Sequence, residues 1–387
     1  MIYSDRTRYL TGYDCPWRRL LGFHAFGTGI TRRTLSPPLS TGTAVHRGLE
    51  GVLARLPSSV SQPPPTPADV DNAARAAELA YIESFTKSEG WSIDPDPHRL
   101  KTQLTIVSGL VHGWSRCVLP WLNQAFEVKE IEAECSFEVA PNLIWMARPD
   151  FVAVDRVSGL FSIHDFKTTS YWSDSQLPEW ADSIQMMLNA EAVRRSRGWP
   201  VESYYIHILI KGSKDHPSRI THPWYRPAIP PYQPESWRSR YTRDPAYSRI
   251  LVTDVRSIGD WVWEIPEADL VKSFPVVGPF PVDNRKIAQF LRGLPLNEED
   301  WVMRTVNLDW KRWPMADFQQ ALDKNFPRTF RCYTYGERCP FYALCFKHSG
   351  WQDPLSSGYQ PRQPHHPQEI LPTRQKDDDG LVSNPSA

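Results

Sequence analysis

Two aspartates and a lysine lie where short predicted strands end. Asp165 and Lys167 are two residues apart in the run GLFSIHDFKT, so on a strand they share one face while Phe166 points into the core. Asp150 lies on the preceding predicted strand, and a hairpin can bring its carboxylate beside that of Asp165. Two converging carboxylates repel each other unless a cation lies between them, and a hard divalent ion such as magnesium is the usual occupant.

This arrangement fits the hydrolysis of a phosphodiester bond. A bound metal lowers the pKa of a water and neutralises charge that develops on the phosphate. Lys167 would add positive charge from a fixed position. An isolated Asp-X-Lys is more often an ordinary ion pair at a strand end, so the motif alone is weak.

The elements that must position these residues follow from hydrophobic periodicity. Residues 125–140, 143–155 and 159–168 form three runs of strand character separated by turn residues, which predicts three consecutive antiparallel strands. A helix with apolar residues at helical spacing follows and stops at Gly198, and residues 201–210 then read as a buried strand. The order predicts an α/β core with helices packed on one sheet.

Helices are predicted upstream of this core, around residues 15–26, 43–55, 70–89 and 98–124. Asp69 is a plausible N-cap for the third of them. The proline-rich stretch 58–69 is predicted to be a loop, because proline removes backbone donors and fixes φ.

The overall charge does not indicate a polyanionic partner. Lys plus Arg and Asp plus Glu both total 44 in the 387 residues, so nucleic-acid binding would need a local patch. The first fifty residues offer one candidate patch, and a solvated basic surface is an equally good interpretation of its arginines: Arg6, Arg8, Arg18, Arg19, Arg32, Arg33 and Arg47. No apolar run approaches the length of a membrane span or a signal peptide, which favours a cytoplasmic location with no membrane partner.

The carboxylate motif resembles that of the PD-(D/E)XK nuclease superfamily. The matching residues are Pro149 and Asp150, followed by Asp165, Phe166 and Lys167 on the strand order that this fold requires. The resemblance implies an α/β fold of the restriction-endonuclease-like type, a mixed sheet flanked by helices, here with helical insertions and a C-terminal four-cysteine region.

Within that superfamily the chain is most similar to the RecB-type exonucleases. Those enzymes carry a histidine in a Gly-X-X-X-His pattern, which Gly42 and His46 reproduce, so the resemblance implies that His46 joins Asp150 and Asp165 as a metal ligand. They also place a glutamine after the Asp-X-Lys strand, and Gln185 fits this position. Asn189 stands where a tyrosine is common, which is a departure. Glu132 and Glu134 could project toward the same sheet face, but an exposed face of an edge strand explains them equally well.

The cysteines extend the resemblance to the iron-sulfur RecB-type nucleases, which include AddB helicase-nuclease subunits, CRISPR adaptation nucleases and phage-encoded relatives. Cys15 lies far upstream of Cys332, Cys339 and Cys345, and Cys339-Pro340 followed by Cys345 matches the final pair of those proteins. The resemblance implies a [4Fe-4S] cluster. Thiolates also suit zinc, but the close Cys-X-X-Cys pairs typical of structural zinc sites do not occur. Cys117 and Cys135 are interpreted as free thiols within a helix and a strand.

The chain is predicted to divide into seven parts. These are an N-terminal helical part with the first cluster cysteine and the histidine motif (1–57), a proline-rich loop (58–69), a helical insertion (70–125), the nuclease core (126–212), an irregular and helical extension (213–325), a cysteine segment (326–350) and a disordered tail (351–387).

The expected activity is Mg²⁺- or Mn²⁺-dependent hydrolysis of DNA, by an exonuclease that acts on single strands or duplex ends. A helicase or recombination factor is a possible partner within this family. The alternative is a DNA-binding or scaffold protein that keeps the nuclease fold without catalysis, and the departure at Asn189 leaves room for it.

Overall fold

The computed structural model divides the chain into two compact units. The central unit comprises residues 34–137 and 147–292, and the terminal unit comprises residues 1–33, 138–146 and 293–387. The described residues are 2–33, 37–56, 64–86, 97–211, 225–227, 249–251, 267–313, 315–329, 332–334, 337–347 and 353–363. Most of the predicted excursion at 215–245, the loop residues 58–63 and the tail from 364 onward therefore lie outside the described residues.

A five-stranded mixed sheet is the framework of the central unit. Its strands are β3 (Phe126–Ile131), β6 (Phe151–Asp155), β7 (Phe161–Thr169), β8 (Val201–Ile210) and β11 (Val276–Pro281). Their order in the sheet is β11-β8-β7-β6-β3, with β7 parallel to β8 and the other neighbours antiparallel. The predicted order of strand, helix and strand around Lys167 is confirmed, since helix α8 (Ile184–Arg197) connects β7 to β8 and ends at Gly198 with a φ of 71°.

Two of the predicted strands are wrong in extent, because each divides into two. Residues 125–140 form β3 and β4 (Cys135–Ala140), and residues 143–155 form β5 (Leu143–Ala147) and β6. Glu132 adopts a left-handed φ of 49°, which ends β3, and Pro149 offers no backbone N–H to continue β5. β4 and β5 join β1 (Ile2–Ser4) in a separate three-stranded sheet. In short two-stranded sheets, β9 (Tyr225–Pro227) pairs with β10 (Arg249–Leu251), β12 (Tyr333–Thr334) with β13 (Glu337–Arg338), and β14 (Tyr359–Pro361) with β2 (Ile30–Arg32).

Helices α3 to α6 form a layer whose core is continuous with one face of the sheet. Their bounds are Pro37–Leu53, Pro67–Thr86, Pro97–Cys117 and Leu119–Ala125. Gly48 on α3 allows close packing, because a Cβ there would lie 2.7 Å from Val111 Cγ2 and 2.9 Å from Ala77 Cβ. The same core contains Phe151 and Phe166 of the sheet, so α3 is held against the strands that carry the acidic residues.

Helix boundaries differ from the predictions in two places. The single helix expected over 98–124 is broken before α6, which has Pro120 in its first turn. Helix α4 begins at Pro67, so Asp69 is not its N-cap. Instead, Asp69 and Thr66 bond each other reciprocally, with Asp69 Oδ2 accepting from Thr66 N at 2.9 Å and Thr66 Oγ1 accepting from Asp69 N at 3.3 Å.

A line of four buried side chains crosses the core of the central unit. Trp114 Nε1 donates to His207 Nδ1 at 3.3 Å, His207 Nε2 lies 2.9 Å from His164 Nδ1, and His164 Nε2 lies 2.9 Å from Ser162 Oγ. An indole N–H can only donate, so it fixes both tautomers. His207 donates from Nε2 to His164, and His164 donates from Nε2 to Ser162.

This line of hydrogen bonds makes the fold sensitive to acid. Burial lowers the pKa of His207 to about 3 and holds that of His164 well below its ordinary 6.5, so both stay neutral when folded. The unfolded chain takes up protons near pH 6.5, so stability is full above that pH and falls below it, by about 1.4 kcal/mol per pH unit for each histidine. Urea unfolding between about pH 7 and 4 measures this slope. We expect His207→Gln to remove the contribution of one histidine and so to make the slope about half as steep. An unchanged slope in that variant would contradict the assignment.

The terminal unit begins with helix α1 (Arg6–Asp14). Its core is built on helix α2 (Pro16–Phe23), the 3₁₀ turn Ala25–Gly27 and the later helix α11 (Ala316–Asn325). Helix α10 (Asn284–Thr305) contributes Glu298, which forms a buried bidentate ion pair with Arg19: Nη2 to Oε2 is 2.6 Å and Nη1 to Oε1 is 3.1 Å. The guanidinium of Arg19 also stacks on Trp301, 4.3 Å from the ring centre. The remaining short helices are α7 (Leu177–Ala181) and α9 (Glu267–Leu270) in the central unit.

Several arginines of the predicted basic patch have structural roles in this unit. Arg32 Nε donates to the carbonyl oxygen of Pro340 at 2.6 Å, and Arg33 donates to those of Tyr359 and Leu355. Residues 353–363 also differ from the predicted disorder after Trp351, because Tyr359 is buried and β14 pairs with β2. Among the described residues, no helix combines the length and apolar character needed to cross a bilayer.

Candidate functional site

Asp150 and Asp165 lie side by side at one end of the central sheet. The register of β6 and β7 pairs Phe151 with His164, so the residues one step beyond, Asp150 and Asp165, are neighbours across the two strands. The backbone N–H of Phe166 donates to Asp150 Oδ2 at 2.5 Å, which fixes that carboxylate against β7. Both aspartates are buried, with 8 % and 2 % of their surface exposed.

His46 reaches the same place from helix α3. Its Nδ1 lies 3.4 Å from Asp150 Oδ1. Gly42 is one turn earlier on the same helix face, and a Cβ at Gly42 would lie 3.1 Å from Thr168 Oγ1 on β7. The Gly-X-X-X-His spacing therefore has a local physical reason, because the glycine lets α3 approach the strand closely enough for the histidine to meet Asp150.

Glu132 is a site residue whose role the sequence left open. One ligand atom from each of His46, Glu132 and Asp150 lies within 4.8 Å of the others. The backbone N–H of Glu132 donates to the carbonyl oxygen of Asp150 at 2.7 Å, and its φ of 49° turns the chain sharply after β3. Its position beside the carboxylate strands was a usable signal, but an exposed edge strand explained Glu132 and Glu134 equally well.

Lys167 points to the same end of the sheet as Asp165. Its Nζ forms an ion pair with Asp165 Oδ2, and Phe166 between them is buried in the core, as the two-residue periodicity predicts. Asp165 is therefore paired with lysine and is not part of the set of three ligands. The structure thus places the three predicted metal ligands, His46, Asp150 and Asp165, at the same end of the sheet. The ligand atoms that converge most closely, however, belong to His46, Asp150 and Glu132.

Burial and neighbouring charges shift the pKa values of the acidic side chains at this site. Burial, together with the charge of Asp150, raises the pKa of Glu132 to about 7 despite the nearby guanidinium of Arg148. Burial also raises the pKa of Asp165, against the attraction of Lys167. Burial opposes the charged form of Asp150 as well, but His46 outweighs it and the pKa of Asp150 is lowered.

Asp150 shifts the pKa of His46 toward the charged form. Burial alone would lower this pKa, yet the charge and hydrogen bond of Asp150 raise it. The ligand atoms of His46, Glu132 and Asp150 converge on one point. Such a donor set fits a hard divalent cation, which competes with protons for the same atoms.

Gln185 lies in the first turn of α8, and its side-chain Oε1 is buried without a hydrogen-bond donor among the described residues. No described hydrogen bond joins it to the aspartates or to Lys167, so its predicted role stays a prediction. Asn189, one turn later, is buried in the same helix.

Comparison with known families decides the identity of this fold. A sequence model of the PD-(D/E)XK nuclease superfamily matches residues 7–346. The chain belongs to this superfamily. A search of curated proteins found no significant match. PD-(D/E)XK nucleases use divalent metals, in agreement with the donor set at His46, Glu132 and Asp150.

This PD-(D/E)XK nuclease has a second cluster of ligand atoms in its terminal unit. Cys15, Cys332, Cys339 and Cys345 all line one pocket. Cys15 is the residue between α1 and α2, while the others follow α11, so the structure brings together the four cysteines that the sequence singled out. Cys117 and Cys135 are not among the residues that line this pocket.

The four thiols influence one another electrostatically. Burial and the neighbouring Cys339 raise the pKa of Cys345 to about 12, and burial also raises the pKa values of Cys339 and Cys332. A metal bound here must displace thiol protons. Arg18 and Arg328 also line the pocket and supply positive charge beside the thiols.

Proposed function

We propose that the chain is a Mg²⁺- or Mn²⁺-dependent deoxyribonuclease that digests DNA from an end. The observation that carries this proposal is the convergence of His46, Glu132 and Asp150 on one point beside the Asp165–Lys167 pair, within a chain of the PD-(D/E)XK superfamily. The exonuclease character rests on the similarity to RecB-type enzymes through Gly42, His46 and Gln185.

Each side chain of the site has a separate role in this proposal. His46, Glu132 and Asp150 would hold the metal, with Asp165 beside them. The bound metal supplies Lewis acidity toward the phosphate and acidifies a water. Lys167, held by Asp165, keeps a positive charge at the site and stabilises the negative charge that develops during hydrolysis. The Phe166 N–H fixes Asp150, so little reorganisation is needed.

We further propose that the four cysteines hold a [4Fe-4S] cluster. A tetrahedral zinc site with Zn–S bonds of about 2.3 Å requires sulfur atoms roughly 3.8 Å apart. Among the described residues, the set whose ligand atoms all lie within 4.8 Å of one another contains no cysteine. Thiols that share a pocket at wider separations suit a cluster of several irons better than one zinc ion.

The substrate and setting follow from the same similarity. We propose single-stranded DNA or duplex ends as the substrate, a helicase or recombination factor as a partner, and a cytoplasmic location, where thiols stay reduced for metal binding.

The test is an anaerobic purification followed by digestion of end-labelled linear DNA and of covalently closed circles, single-stranded and duplex. We expect Mn²⁺-stimulated loss of linear DNA that a chelator stops, with circles intact. Cleavage of circles would contradict the exonuclease assignment. Binding of DNA without cleavage in any divalent metal would support the inactive, scaffold alternative.

A further inference from the structure

Arg148 lies at the edge of the carboxylate site. Its Nε is 2.9 Å from Glu132 Oε2, and the described residues give Arg148 no other ion-pair partner. Glu132 is also one of the three groups that converge at the candidate metal position. One carboxylate therefore faces two competing positive charges, a guanidinium and an incoming divalent cation.

Those two positive charges repel each other, and Arg148 loses part of its attraction to Glu132 once a divalent ion binds that carboxylate. A phosphodiester offers Arg148 a substitute, because the planar guanidinium matches two anionic oxygens of a phosphate. The Arg148 side chain is 42 % exposed, so an incoming strand can reach it. Pro149 favours extended backbone at Arg148.

We propose that Arg148 is a phosphate-binding residue that exchanges Glu132 for a backbone phosphate of the substrate, so that DNA binding frees Glu132 for the cation. The inference rests on the proposed function, in that the substrate is DNA and the site holds a divalent metal. It makes the two ligands cooperative, and each must raise the affinity for the other by the same factor.

The first measurement is Ca²⁺ binding by calorimetry, with and without a saturating phosphorothioate oligonucleotide whose integrity is checked on a gel. Ca²⁺ is a hard cation with the same preference for oxygen ligands. In the wild type we expect the oligonucleotide to tighten Ca²⁺ binding about tenfold. In Arg148→Gln we expect Ca²⁺ to bind about threefold tighter without DNA, because a half-exposed ion pair is lost, and the coupling to vanish.

The second measurement is oligonucleotide affinity as a function of salt. Loss of one phosphate contact in Arg148→Gln lowers the slope of log affinity against log salt by about one. Arg148→Lys keeps the charge and should keep the slope. Arg304→Gln is the matched control, since Arg304 pairs with Asp300 in the terminal unit and its side chain is equally exposed at 42 %. Circular dichroism checks the fold of each variant.

The outcomes separate the two proposals. If Arg148→Gln weakens Ca²⁺ binding without DNA and keeps the salt slope, Arg148 is a fixed partner that orients Glu132, and the exchange is wrong. If the wild type binds oligonucleotide but shows the same coupling and slope as Arg148→Gln, this inference alone fails. If the wild type binds no DNA, the proposed function fails with it.

Discussion

Asp165→Asn is expected to abolish DNA cleavage without destabilising the metal-free protein. Losing this carboxylate removes negative charge at the metal site and the anchor of Lys167, which together should lower the rate about a thousandfold, or roughly 4 kcal/mol of transition-state stabilisation. Burial raises the pKa of Asp165, so ionising this carboxyl costs more free energy in the folded chain than in the unfolded chain. A neutral amide avoids that cost, and the melting temperature should stay the same or rise.

The rate is measured by single-turnover digestion in Mn²⁺ and the stability by thermal unfolding in chelator. Asp182→Asn is the matched control, because Asp182 also pairs with a lysine, Lys286, but on the exposed surface of the same unit. It should leave both quantities unchanged. Retained cleavage in Asp165→Asn would remove Asp165 from the site, and equal loss of activity and melting temperature would indicate a structural role.

Cys345→Ala is expected to remove the visible colour of the anaerobically purified protein and to lower its melting temperature by about 10 °C. Cys345 is buried in the core of the terminal unit and lines the pocket with Cys15. A cluster bound there would join distant parts of the chain, so its loss would remove folding free energy.

Absorption spectra and analysis of iron, zinc and acid-labile sulfide follow the cluster, and calorimetry follows stability. Cys135→Ala deletes an equally buried thiol away from the pocket and should keep the colour with a small loss of stability. A colourless wild type with one zinc per chain would replace the iron-sulfur proposal by a zinc site. A wild type with neither metal would leave the cysteines as free thiols.

Local patterns were enough to predict strand character around Asp150 and Asp165, because residue alternation and turn residues are properties of short segments. The role of Glu132 stayed open because it depends on a left-handed turn after β3, and the alternation of apolar and polar residues does not reveal that turn. The separation of residues 125–140 into strands of different sheets was missed for the same reason.

Interactions between residues far apart in the sequence could not be predicted from local patterns either. Arg19 counts as one more basic residue in the N-terminal sequence, yet it is fully buried against Glu298, which no short-range pattern could indicate. The tautomer-fixed line from Trp114 to Ser162 likewise requires the register of β7 against β8 and the packing of α5. The four cysteines were grouped through family similarity, since their sequence spacing does not itself imply proximity.

The terminal unit combines segments that are far apart in the sequence, which affects how it folds during synthesis. Residues 2–33 leave the ribosome early, but their packing partners in that unit come largely from beyond residue 293. The apolar side chains of Trp17, Leu20 and Leu21 are all fully buried in the folded protein. They therefore cannot be buried against these partners until the central unit has been translated. During that interval they form an exposed hydrophobic segment of the kind that chaperones bind, and assembly of the four-cysteine pocket is confined to the last stage of chain production.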